Sequence, residues 1–133
     1  MVTVGKRKEG QSLVEFALLL PLFLLMVVGV AEFGRAWMTR NILTGAAREG
    51  ARVAAVQPTL PLSVAQGTAR VNSVLSGTGV TPSGISVTDP GGPVNSIRVV
   101  VTSMYSVAIT GFIPGLPGSF PLTGTATMRR ERY

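Results

Sequence analysis

Chemistry has few places to reside in this chain, and the most pointed is the segment GQSLVEF, which places Gly10 and Glu15 close together. Gly10 follows a basic patch of Lys6, Arg7 and Lys8, and Glu15 is the only charge in the apolar run from Leu13 to Ala31. An ionised carboxylate at the centre of a membrane span costs roughly 2.5–3.5 kcal/mol on insertion scales. A chain that keeps one at the edge of such a run needs something to offset it. The plainest offset is the positive dipole end of a helix starting nearby; the stronger one is a cation brought by another group.

The remaining residues exclude more than they offer. Cysteine and histidine are both absent, which removes thiol nucleophiles, thiolate and imidazole metal ligands, imidazole bases and disulfides. The acidic residues are Glu9, Glu15, Glu32, Glu49, Asp89 and Glu131, and no two lie at metal-ligand or paired-carboxylate spacing. Serine and threonine are plentiful, yet a hydroxyl nucleophile needs a base, and the only lysines are Lys6 and Lys8. The glycine-rich stretch from Ser76 to Gly84 lacks the Lys-Ser/Thr ending of a phosphate loop. We therefore expect a chain that is not an enzyme and carries no cofactor. The net charge of +6 raises the question of nucleic acid. Its cations fall mainly in the leader, along the helix with Arg35, Arg40, Arg48 and Arg52, and at the C-terminus, a distribution that basic flanks of an apolar anchor explain, so no nucleic-acid partner is expected.

The elements that position these residues begin with the apolar run. Phe16 to Ala31 contains no charge, and with its weakly polar ends the run reaches the roughly 20 residues that a helix needs to cross hydrocarbon at about 1.5 Å per residue. One transmembrane helix is expected. The basic leader places the N-terminus in the cytoplasm and the remainder outside, although Arg35 and Arg40 also follow the span closely. A secretory signal peptide is the competing interpretation, but Val30, Ala31, Glu32 and Phe33 give no small-x-small exit. Pro21 removes one amide inside the span and favours a kink. Phe33 and Trp37 fall where amphipathic aromatics anchor spans at the outer interface.

No further breaker occurs until Pro58, so the helix is expected to continue from Gln11 to Val56. Gly45, Ala46, Gly50, Ala51, Ala54 and Ala55 leave it a thin face that other backbones can approach, and Glu49 and Arg52 are i,i+3 partners. Ser63 to Ser76 has a loosely helical pattern. Strands are expected at Gly84 to Thr88, Ser96 to Ala108 and Ser119 to Arg129, joined by Gly- and Pro-rich turns at 89–93 and 113–118. The expected fold class is an α+β membrane protein, a long N-terminal transmembrane helix projecting into a small antiparallel β-sheet head. Its parts are a leader over 1–10, the span over 11–34, a projecting helix over 35–57 and the head over 58–133.

The segment GQSLVEFALLLPLF, followed by EFGRA and GAAREGAR, resembles the TadE-like pseudopilins of Tad (Flp) pilus systems. The resemblance covers about residues 10–55 and implies a pilin-like architecture in the bacterial inner membrane. It also implies that a prepilin peptidase cuts after Gly10, leaving Gln11 as the new N-terminus with Glu15 as the mature fifth residue. In pilin-like filaments that glutamate meets the amine of a neighbouring subunit. Glu15 and Phe16 would then serve subunit assembly, with other pilin-like subunits and the pilus assembly platform as partners. Major Flp pilins usually carry tyrosine after the glutamate and are very short, so Phe16 and the sizeable head imply a minor component. The alternative, from another class, is a single-pass anchored module whose head binds an external ligand.

Overall fold

A computed structural model describes residues 6–91, 95–111, 115 and 117–130. The first five leader residues, parts of both expected turns, and Glu131 and Arg132 lie outside the described residues. Two compact units divide at Gly34, Met1–Gly34 and Arg35–Tyr133.

Helix α1 runs over Lys6–Ala55 and stays helical through Pro21. It starts five residues before Gln11, so the Gly10–Gln11 peptide bond lies inside helix. The apolar side chains from Leu13 to Val30 are exposed in this unit, and none of its most apolar stretch is buried. A helix that long and apolar is sufficient to cross a bilayer.

The second unit is built on the alanine face of α1. Leu43, Ala46, Ala47, Ala51 and Ala54 recur at helical spacing, and all are fully buried. They share one core with Val71 and Leu75 of helix α2 (Leu60–Leu75) and with Val87, Ile97, Val99 and Val101 of the sheet. Small side chains are needed here because backbones come close. A Cβ on Gly50 would stand 2.5 Å from Val71 Cγ2 and 3.2 Å from the Gly67 carbonyl oxygen, and one on Gly124 would fall on the backbone of Leu43 and Thr44. Gly45, grouped by its sequence with the thin face, meets nothing within 4 Å; the close approach is made by Gly50.

The corner between α1 and α2 is closed by polar contacts at a helix end. Pro58 cannot continue α1, Thr59 is extended, and Pro61 fits the first turn of α2, which starts three residues before Ser63. The buried Ser63 hydroxyl donates to the Ala54 carbonyl at 2.9 Å, an acceptor in the last turn of α1 that also takes the Gln57 amide at 3.3 Å. Arg130 donates to the Gln57 carbonyl at 3.2 Å from a distant part of the chain. Helix α2 ends at Leu75, and Gly77 follows at φ +88, a conformation that favours glycine.

Strands β1 (Gly84–Thr88), β2 (Ser96–Ser106) and β3 (Ser119–Arg129) form an antiparallel sheet in the order β1-β2-β3. The register sets Val87 opposite Val99 and Val101 opposite Gly124. Alternation along β2 sends Ile97, Val99, Val101 and Tyr105 to the core face. β2 ends at Ser106, not Ala108. Val107 still donates to the Gly118 carbonyl at 3.0 Å, after which the chain coils into a 3₁₀ turn, Ala108–Gly111, with Thr110 Oγ1 donating to the Val107 carbonyl.

Candidate assembly site on the N-terminal helix

The sequence-selected residues separate into groups along α1. Gly10, Gln11, Val14, Glu15 and Leu18 line one shallow surface. The cause is helical spacing, since Gln11 and Glu15 stand one turn apart and Val14 and Leu18 extend the same flank. Glu15 is exposed and makes no hydrogen bond or ion pair among the described residues. Phe16 is also exposed, beside Glu15 in the chain. A carboxylate on an uncovered apolar helix attracts cations. Pro21 lies further along the span, away from this group. Phe33 and Trp37 are both exposed, and their apolar surface is open to lipid or to another chain.

In the second unit the structure adds contacts that the sequence does not announce. Glu49 accepts from Arg52 at 3.3 Å, the expected pair, and also from Arg70 of α2 at 3.1 Å. The Arg70 hydrogen bond, followed by the charge of Arg52, holds the Glu49 carboxyl below its ordinary range. Arg130 lies 4.0 Å from Asp89, whose carboxylate accepts from the Gly91 amide at 2.9 Å. Arg35 lies over the Tyr105 ring at 5.8 Å from its centre, and Tyr105 packs on Phe120, directly opposite it on β3. Arg35, Thr39, Thr81, Ser103 and Ser106 border a polar cleft of about 250 Å³. Among the described residues, no group of carboxylates is arranged to hold a metal ion.

These features define a class: an α+β chain with an N-terminal apolar helix long enough for a bilayer and a head built on a small antiparallel sheet. The anchor suits a membrane protein. Residues 10–52 match the family described as TadE-like protein. The match spans α1 from Gly10 to Arg52 and holds both Gly10 and Glu15. No curated protein and no solved structure matches the chain.

Proposed function

We propose that this chain is a minor pseudopilin of a Tad-type pilus or secretion system, held in the bacterial inner membrane with its N-terminus cytoplasmic and its head outside. It acts without catalysis in pilus assembly, initiation or tip structure. The observation that carries this reading is the exposed Glu15 carboxylate on the same flank as Gln11, at the start of an uncovered apolar helix.

Processing supplies the missing cation. Hydrolysis of the Gly10–Gln11 bond by a prepilin peptidase adds water, leaving a carboxylate on Gly10 and an amine on Gln11. That amine is protonated near neutral pH, its ordinary pKa being about 7.7–8.0. The cut also removes Lys6, Arg7, Lys8 and Glu9, taking the side-chain charge from +6 to +4. A basic group that held the helix on the cytoplasmic side is thereby lost, and the helix can be lifted toward a neighbour. Glu15 then meets the amine of that neighbour. A buried pair of this kind gives little net stability but penalises every register that leaves either charge alone. Because the bond lies inside α1, the peptidase must first unwind the helix there, and Gly10 lowers that cost by about 1 kcal/mol relative to alanine.

The test is the N-terminal residue of the protein purified from cells, read by mass spectrometry. Gln11 supports the reading; Met1 returns the chain to an ordinary anchor. A single-pass binding module is the second reading, favoured by the closed core of the head. It would gain if residues 11–34 could be exchanged for an unrelated anchor without loss of function.

A further inference from the structure

The two faces of the sheet differ in chemistry. One takes the valines and isoleucine of the core. On the other, the register sets Thr88, Arg98 and Thr127 in one row across the three strands, Ser86, Val100 and Thr125 in the next, and Gly84, Thr102 and Thr123 in a third. Val100 and Thr102 are half-buried by their neighbours and the rest are exposed. Arg129 follows Thr127 by two residues on this face, diagonal to Arg98 and about 7–8 Å from it by ordinary strand geometry.

These groups are uncommitted. Among the described residues neither Arg98 nor Arg129 has an ion pair or hydrogen bond, and the hydroxyls of Ser86, Thr88, Thr102, Thr123, Thr125 and Thr127 make none. The contrast with Arg130 is direct, since that side chain is engaged by Asp89 and Gln57. Glu49 and Asp89, the carboxylates among the described residues of this unit, are engaged by other arginines. The face is therefore a regular array of hydroxyls, each both donor and acceptor, with a cationic pair at one end and, among the described residues, no acid to neutralise it.

We propose that this outward face binds an acidic polysaccharide, with Arg98 and Arg129 taking its carboxylates and the threonine rows exchanging hydrogen bonds with its hydroxyls. A protein partner fits less well, because the centre of a protein interface draws on aromatic and apolar anchors. Here the apolar members are the half-buried Val100 and, at the periphery, Met104 with Pro121 opposite it. A nucleic acid fits less well too, since its backbone is held by a string of cations and its single strands by stacked aromatics, and this face offers two arginines and no aromatic ring.

The experiment uses the full chain in nanodiscs of zwitterionic lipid, with polygalacturonate as the probe and neutral dextran and duplex DNA beside it. Saturable, salt-sensitive binding to polygalacturonate is expected, with none to dextran. An exposed charge contact is worth roughly a two- to fivefold factor, so Arg98→Gln with Arg129→Gln should weaken binding about tenfold. The matching double change to lysine should retain most of it. Thr125→Val, which keeps the β-branched shape and loses the hydroxyl, should weaken binding by about twofold, within the range of one hydrogen bond. Unchanged melting temperatures establish that each variant is folded. Absence of binding, binding indifferent to the double glutamine variant, or equal or tighter binding to DNA overturns the proposal. So does self-association of the chain that the same double variant abolishes, which would make the face a contact between copies.

Discussion

Gly50 of α1 and Gly67 of α2 meet backbone to backbone: a Cβ on either would stand 3.2–3.4 Å from the carbonyl oxygen of the other. This crossing lets an alanine-faced helix reach the valines of the sheet. The two positions are unequal. A Cβ on Gly50 would also stand 2.5 Å from Val71 Cγ2, whereas the tightest neighbour of one on Gly67 would be Ala54 Cβ at 3.1 Å. Alanine gains about 1 kcal/mol over glycine in a helix, and overpacking a core costs about 1–3 kcal/mol. Gly50→Ala should therefore destabilise the head by about 1 kcal/mol, while Gly67→Ala should be close to neutral. Melting of the full chain in detergent distinguishes them, since 1 kcal/mol corresponds to roughly 4–8 °C in a unit of this size. Equal melting temperatures for the two variants would show that the crossing is looser than described.

Gly124 presents a harder case. A Cβ there would fall on the backbone of Leu43 and Thr44, which cannot rotate aside as a side chain does. Gly124→Ala should cost about 3 kcal/mol, the upper end of ordinary overpacking. The same change at Gly84, where nothing lies within 4 Å, should cost well under 1 kcal/mol. A Gly124→Ala protein that melts with the wild type would contradict the packing of α1 on β3.

Glu49 makes the stability of the head depend on acid. Its folded-state pKa is lowered from 4.5, first by the hydrogen bond from Arg70 and then by the charge of Arg52. A lowered carboxyl pKa contributes stability that is present above the unfolded value and is lost as pH falls through the folded one. Arg70→Gln should lower the melting temperature slightly near neutral pH, and its difference from the wild type should shrink below about pH 4. A difference that persists unchanged in acid would assign the effect of Arg70 to packing.

Much of this arrangement was legible in the sequence because local pattern determines it. The apolar run, the breaker at Pro58 and the alternating valines of β2 gave the helix, its end and the buried face of the sheet. Boundaries were less legible. α1 takes in Lys6 to Gly10 because helix propagates readily into a polar leader, and α2 gains a turn because Pro61 suits a helix start. Arg70 with Glu49 and Arg130 with Gln57 carry no local signal, since the partners are 21 and 73 residues apart. Gly45 and Gly50 look alike in sequence, and only the position of α2 separates them. At the candidate site, Gly10 and Glu15 stood out by type and spacing, Gln11 came only from the family resemblance, and the structure added that the bond after Gly10 is helical.

Under the proposed function, that last feature separates two steps, processing and assembly. On the proposed reading the peptidase takes up a residue without a side chain at Gly10 and unwinds the helix around it, so Gly10→Arg should leave a full-length precursor in the membrane. Glu15 lies outside the bond to be cut and is exposed, so Glu15→Leu should insert and be processed to Gln11 as the wild type is. It should nevertheless fail to co-purify with other pilus components, because the neighbour's amine has lost its partner. Glu15→Gln should fall between the two, keeping a hydrogen-bond acceptor without the charge. Gel mobility reads the first step and co-purification from membranes the second. Normal processing of Gly10→Arg would remove the peptidase from the account, and full assembly of Glu15→Leu would leave the carboxylate as no more than a charge at the positive end of the helix dipole.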